Sequence, residues 1–261
     1  MSLTNKIALV TGSTSGIGLG IAERLAASGA NIILNGFGEP AEIEKTRMRI
    51  IDTYKVKCDY RNVDISDFDA VNAMIGGIIK DHGALDILVN NAGIQFVAQT
   101  EDFPIEQWHK VMNINLSGVF FAIKSVLPSM KAKGFGRIIN IASAHGLVAS
   151  KHKIAYVTAK HGVVGMTKVV ALETAEQNIT CNAICPGWVL TPLVQKQIDD
   201  IAATQKISVK EAETKLLGEK QPNLRFATPD EIGDMVVYLA GDSARNVTGT
   251  TLSIDGGWTA Q

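Results

Sequence analysis

Short apolar runs recur along the chain, at Ile7 to Val10, Ile32 to Leu34, Leu85 to Val89, Arg137 to Ile141, Thr180 to Ile184 and Thr250 to Ile254. Their length and pattern predict strands, and the longer amphipathic stretches between them predict helices. Runs that stay apolar at successive positions suit strands covered on both faces, because neighbouring side chains point to opposite sides of a sheet. Strand-helix alternation then gives an α/β fold: a Rossmann-like doubly wound parallel sheet in three α/β/α layers, with right-handed crossovers. No repeat, low-complexity tract or Pro/Ser-rich linker interrupts this pattern, so one domain is expected over residues 1–261. The irregular region is Thr191 to Pro222, a polar helical insertion in which Thr191 and Pro192 suit a helix N-cap and first turn. A substrate lid over about 191–221 fits there, hinged near Pro186-Gly187 and Pro222.

Composition narrows the functional classes. With 46% hydrophobic and 20% charged residues the chain can bury a sizeable core, and a net charge of −1 argues against nucleic acid as a partner. The 24 glycines point to tight turns, whereas 6% aromatics disfavours an aromatic-lined binding module. The three cysteines, Cys58, Cys181 and Cys185, form no C-x-x-C pair, so neither a disulfide framework nor a metal site is expected. The longest uncharged apolar stretches contain glycine breaks or are too short to span a bilayer. A cytoplasmic protein without membrane attachment is therefore expected.

Three clusters carry candidate chemistry. Thr11-Gly12-Ser13-Thr14-Ser15-Gly16-Ile17-Gly18 follows the first strand and opens a helix, a context in which glycines let the backbone approach a pyrophosphate at the helix N-terminus. Asn90-Asn91-Ala92-Gly93 ends another strand, at the sheet edge where open α/β folds bind ligands. Asp64 suits either a hydrogen bond from an adenine amino group or a cap for the helix near Phe68. Finally, Ser143 precedes Tyr156 and Lys160, whose four-residue spacing puts phenol and ammonium on one helical face.

Together these turns, Ser143, Tyr156, Lys160 and Pro186-Gly187 resemble the short-chain dehydrogenase/reductase family along essentially the whole chain. The resemblance implies Tyr156 as general base for alcohol oxidation, Ser143 as donor to the developing alkoxide or ketone oxygen, and Lys160 as the cation that stabilises the phenolate. Lowering a phenol pKa from about 10 toward neutrality needs roughly 4 kcal/mol; one cation in an effective dielectric of about 20 supplies roughly that amount, so Lys160 with help from the oxidised nicotinamide is sufficient. Asn115 matches the family's helix asparagine that holds a water linking Lys160 to solvent; back-bonding within its own helix is the alternative.

For the cofactor, the resemblance implies contacts from Gly12, Thr14, Ser15, Gly16, Ile17 and Gly18, then from Phe37, Asp64, Ile65, Asn91, Ala92 and Gly93. Tyr156, Lys160, Pro186, Gly187, Val189 and Thr191 complete that set. Thr191 either reaches the nicotinamide amide or simply caps its helix, and Phe37 either covers the adenosine face or is a plain turn aromatic. The acid that NAD-dependent relatives usually carry after the second strand is missing from Asn35-Gly36-Phe37-Gly38. No Arg or Lys stands there or within Ser13 to Ser15, so a 2′-phosphate would have no counter-charge, and NAD is the expected cofactor.

Between Ser143 and Tyr156 lie His145, Lys151, His152 and Lys153, a cationic cluster that would disfavour an oxidised nicotinamide unless an anionic substrate neutralised it. Gln95 and Gln197 would add amide donors from opposite walls, and Trp188 an apolar wall. This combination resembles the members of the family that act on a small 3-hydroxy acid, in which the positions of Gln95, His145, Lys153 and Gln197 hold the substrate carboxylate. Competing readings are a 3-oxoacyl thioester reductase, a polyol dehydrogenase and a non-catalytic dinucleotide-binding redox sensor. The family association also implies a homotetramer, with helices around 104 to 132 and 153 to 175 and the carboxyl-terminal segment at interfaces.

Overall fold

In the computed structural model, which describes residues 2–260, Ile7–Val10 forms β1 with all four residues buried. Leu9 packs into one core cluster while Ala8 and Val10 pack into the other, so the unbroken apolar run reflects a strand covered on both faces. The remaining strands are β2 (Asn31–Asn35), β3 (Cys58–Arg61), β4 (Ile87–Asn90), β5 (Gly136–Ile141), β6 (Ile179–Pro186) and β7 (Thr251–Ile254). All pair in parallel, in the order β3-β2-β1-β4-β5-β6-β7.

Helices cover both faces. On one side α1 (Gly16–Ala27), α2 (Pro40–Tyr54) and α9 (Pro229–Ala240) bury Ile21, Leu25, Ile50, Ile232, Val236 and Leu239 against the sheet. On the other, α3 (Phe68–His82), α5 (Gly118–Lys133) and α6 (Ile154–Glu173) contribute Val71, Ile75, Ile78, Val119, Ile123, Val126, Val163 and Val170. The result is the expected Rossmann-like three-layer sandwich. Its strand order reverses between β1 and β4, and the carboxyl ends of these two strands bound the crevice in which such sheets bind ligands.

The expected strands are all present, and β3 adds a seventh. The expected bilayer exclusion needs correction. α4 (Ile105–Met112), a π-helical turn at Asn113–Ser117 and α5 form one continuous 29-residue helix, Ile105–Lys133, long and apolar enough to cross a membrane. Gly118 does not interrupt it, because its missing side chain lets the backbone approach the Ile65 carbonyl: a Cβ there would lie 2.8 Å from that oxygen. Much of the apolar face is accounted for by the fold, since Val119, Ala122, Ile123, Val126 and Met130 pack on the sheet.

The insertion is helical, but in two pieces. Thr191 caps α7 (Pro192–Gln205) by accepting from the Val194 amide at 3.3 Å. Lys206 then turns left-handed (φ 53°), and Ser208 with Glu211 forms a capping box that starts α8 (Val209–Gly218). Val194, Ile198, Ala202, Ala212 and Leu216 give the pair its own small core, with Trp188 and Phe226 against it.

Candidate active site

The glycine turn is shaped by backbone demands. Gly12 and Gly16 have φ of 63° and 56°, and a Cβ on Gly12 would lie 2.8 Å from Ala92 Cα. Ser15 precedes α1 without a side-chain capping bond, which leaves the first amides of the helix free to meet an anion. Thr11 joins the two strand ends, as its hydroxyl accepts from the Asn91 and Ala92 amides at 3.0 and 3.1 Å. Asn91 braces the turn, its side-chain amide donating to the Thr11 and Gly12 carbonyls at 2.9 and 3.0 Å. Thr191 stands across from Gly16, where a Cβ would be 3.7 Å from its methyl. It therefore caps α7 and borders the cradle, so the two roles considered for it are compatible.

The turn after β2 lies against the glycine turn, where a Cβ on Gly36 would be 3.0 Å from the Thr14 hydroxyl. The Thr14 hydroxyl donates to the Phe37 carbonyl at 2.8 Å, the Tyr60 hydroxyl donates to Gly36 at 2.8 Å, and Phe37 is 63% exposed. Asp64 caps no helix: it accepts from the Ser66 amide and hydroxyl, and Asp67 caps α3 through the Ala70 amide at 3.0 Å. Ile65, Ile17 and Val189 act mainly in packing, with Ile65 and Val189 buried and Ile17 set against the α1 side of the core.

Tyr156 and Lys160 project from the first turns of α6 toward the end of β5, where Ser143 stands. The Lys160 ammonium donates to the Ile141 carbonyl at 2.7 Å and lies 5.6 Å from the Tyr156 ring centre. Burial drives the Lys160 pKa down to about 8. Burial also pushes the Tyr156 phenol upward, against the Ser143 hydroxyl, which pulls it back. Without a bound nicotinamide, desolvation therefore outweighs the Ser143 hydrogen bond and the phenol stays above its ordinary value. Asn115 does not back-bond within its own helix: its side chain clamps Ile94, accepting from the amide at 2.9 Å and donating to the carbonyl at 2.8 Å. Below the site runs a buried chain, in which Asn90 donates to Asn140 at 2.8 Å and Asn140 to Thr167 at 2.9 Å.

His145 lies beside Ser143. Its backbone amide donates to the Ser143 hydroxyl at 3.1 Å, and its Nε2 is 2.8 Å from the Ser150 hydroxyl. The ring meets Tyr156 and Trp258 edge-on, at 5.9 and 4.9 Å between centres. Burial, reinforced by the charges of Lys153 and Lys220, lowers its pKa to about 4, so it is neutral near pH 7. The Lys153 ammonium lies 5.9 Å from the Trp188 ring centre and makes no ion pair among the described residues. The Trp188 indole N–H is buried without a partner among those residues. Pro186 ends β6 inside the core, and Gly187 gives close passage to Gln221, whose Oε1 would be 2.6 Å from a Cβ there. Gln95 is exposed and Gln197 half-buried, and neither makes a side-chain hydrogen bond among the described residues. Lys151 and His152 are exposed, on the solvated side of the loop. Trp258 was not foreseen; it arrives from the 3₁₀ turn after β7, with no sequence motif to announce it.

A glycine cradle at the switch point, facing a Ser-Tyr-Lys set at the end of β5 and the start of α6, defines a dinucleotide-dependent oxidoreductase. A family model described as enoyl-(acyl carrier protein) reductase matches residues 12–259, and the chain belongs to the short-chain dehydrogenase/reductase family. It is 54% identical to a D-beta-hydroxybutyrate dehydrogenase of Cupriavidus necator, over 99% of this chain and 100% of the relative. It is 51% identical to one of Rhizobium meliloti, over 98% of this chain and 99% of the relative. Among solved structures, L-sorbose reductase from Gluconobacter frateurii in complex with NADPH and L-sorbose superposes with a TM-score of 0.95 at 28% identity, covering 100% and 99% of the two chains. Levodione reductase gives 0.90 at 33% identity over 98% of each.

Proposed function

We propose that this chain reversibly oxidises (R)-3-hydroxybutyrate to acetoacetate with NAD. The observation that carries the substrate reading is Lys153, an ammonium without an acidic partner among the described residues, set over Trp188 beside His145 and Ser143. Such a group calls for an anion on the substrate. The two D-beta-hydroxybutyrate dehydrogenase relatives support the same reading.

NAD, when bound, supplies the hydride acceptor at nicotinamide C4 for the hydride leaving substrate C3. The chain's own groups do the rest. Gly12, Gly16 and the open amides of α1 hold the pyrophosphate, with Thr14, Ser15, Gly18, Ala92 and Gly93 around it and Thr191 at the nicotinamide end. Tyr156 takes the substrate hydroxyl proton, Ser143 donates to the oxygen as it becomes a carbonyl, and Lys160 holds the phenolate by charge. Asn115 acts by fixing Ile94, and thereby the loop that carries Gln95. His145, Lys153, Gln95 and Gln197 receive the carboxylate, with Trp188 as the apolar wall.

The turn after β2 supports NAD over NADP, although the sorbose reductase complex contains NADPH. Arg61, paired with Asn35 across the sheet, is bonded at 2.7 Å to Asp81. Glu39 directly precedes α2 and Glu42 lies in its first turn, so the local charge disfavours a 2′-phosphate. A homotetramer fits the exposed apolar side chains Phe120 on α5 and Val169 and Leu172 on α6, and the half-exposed edge strand β7. The lid role of residues 191–221 belongs to the same proposal.

Steady-state rates with the acid and its methyl ester test the reading. Replacing Lys153 with Ala should lower kcat/KM for the acid by roughly two to three orders of magnitude, as expected when a buried charge loses its partner. NAD affinity should barely change. Equal turnover of ester and acid would instead favour the polyol or thioester reading.

A further inference from the structure

Lys220 follows α8, at the end of the lid most distant in sequence from Thr191. Its ammonium lies 6.0 Å from the ring centre of Trp258, and that ring in turn meets His145 edge-on at 4.9 Å. Lys153 stands over Trp188 in the same pocket. Two ammonium groups and a buried imidazole thus converge from three separate segments. Among the described residues neither lysine has a carboxylate within ion-pair distance.

The position of Lys220 is fixed by its neighbour. Gln221 is buried, accepts from the Trp188 amide at 2.9 Å and donates to the Arg225 carbonyl. Asn223 donates its amide to the Gly256 carbonyl at 3.2 Å, tying the same stretch to the segment that carries Trp258. The backbone that carries Lys220 is thus held beside Trp188 by Gln221 while its ammonium lies over Trp258; burial chiefly lowers the pKa of His145 and Lys153, and the Lys220 charge adds to both shifts. At Lys153 burial is the main cause of the lowered pKa; Lys220 adds to it and Glu219 opposes it. An uncompensated concentration of positive charge beside a neutral His145 is costly to the free protein and is relieved by an anion.

We propose that Lys220 is a second cationic contact for the acid group of the substrate, and so a specificity determinant contributed by the far end of the lid. This rests on the carboxylate reading above and assigns the lid a charge as well as a cover.

The test uses NAD-saturated protein and two readouts: turnover of (R)-3-hydroxybutyrate, and acetate binding followed by tryptophan fluorescence. Lys220→Met should raise KM for the hydroxy acid and Kd for acetate about five-fold each, the scale of one partly exposed charge contact, with kcat and NAD affinity near the parent. Lys220→Glu should weaken both further, and Lys220→Arg should restore them. Acetate that binds parent and Lys220→Met equally, or binds neither, overturns the proposal. Acetate binding that responds to Lys220 in a protein that does not oxidise hydroxybutyrate sinks the substrate reading and leaves the second cation standing.

Discussion

His145 makes acid sensitivity a property of the cluster around Ser143, Tyr156 and Trp258. Its ring is 5% exposed, and burial together with Lys153 and Lys220 brings its pKa from 6.5 to about 4. The unfolded chain therefore binds a proton that the folded one refuses between those values, so stability falls as pH falls through this window. At pH 5 an unfolded-state value of 6.5 against a folded value of about 4 costs roughly 2 kcal/mol relative to pH 8, rising to about 3 kcal/mol below pH 4. The perturbation is His145→Asn, which removes the titrating ring and keeps a polar side chain. Urea unfolding of parent and variant at one fixed protein concentration, every half pH unit from 8 to 4.5, isolates the effect, because the other titrating groups appear in both curves. The parent should lose about 2 kcal/mol more than the variant by pH 5. Parallel curves would show that His145 titrates like a solvated histidine and that the pocket field is weaker than its geometry implies.

Lys160→Ala should raise the apparent pKa of the oxidation rate and cut turnover, since the cation stabilising the Tyr156 phenolate is gone; a pH-rate profile reads this directly. Gly18→Ala should weaken NAD binding by about five-fold or more, in line with overpacking costs of roughly 1–3 kcal/mol, and dye-displacement titration would measure it. The added methyl would collide with the Gly12 carbonyl and sit 2.5 Å from the Asn91 amide nitrogen. Asn115→Ala should lower stability by about 2 kcal/mol, because the amide and carbonyl of Ile94 lose both partners; urea melts would show it. Protease cleavage near Lys206, the left-handed break between α7 and α8, should slow when NAD and acetoacetate are both present, and equal cleavage would count against a closing lid.

What the sequence made legible follows from where its information is local. Gly12 to Gly18 and the Tyr156-Lys160 spacing are short-range patterns, and each lies on the element expected of it. β3 escaped because it is an edge strand, Cys58-Asp59-Tyr60-Arg61, in which only Cys58 is buried, so no apolar run marks it. The neighbouring acids Asp64 and Asp67 are equivalent as letters, and only backbone geometry shows that the second one caps α3. Trp258 and Lys220 reach His145 from distant parts of the chain, and no spacing rule links them. The upward shift of Tyr156 in the cofactor-free chain is not legible in the motif, because charge pairing shows in a spacing, whereas desolvation depends on how much of the fold closes around the phenol.

The π-helical turn at Asn113–Ser117 works as a phase shifter. One residue more than an α-helical turn carries advances the angular position of everything beyond it by about 100°. Upstream of the turn, Val111 looks toward Phe103 and Ala155 at the rim of the pocket; downstream, Val119, Ile123 and Val126 look at the sheet. A single rod thus contributes to two separate apolar clusters. Deleting one residue between 113 and 117 would make the helix more regular and the protein worse. The rim half would swing off its neighbours, the Asn115 clamp on Ile94 would open, and a local gain in helical order would be read out as disorder at the pocket mouth.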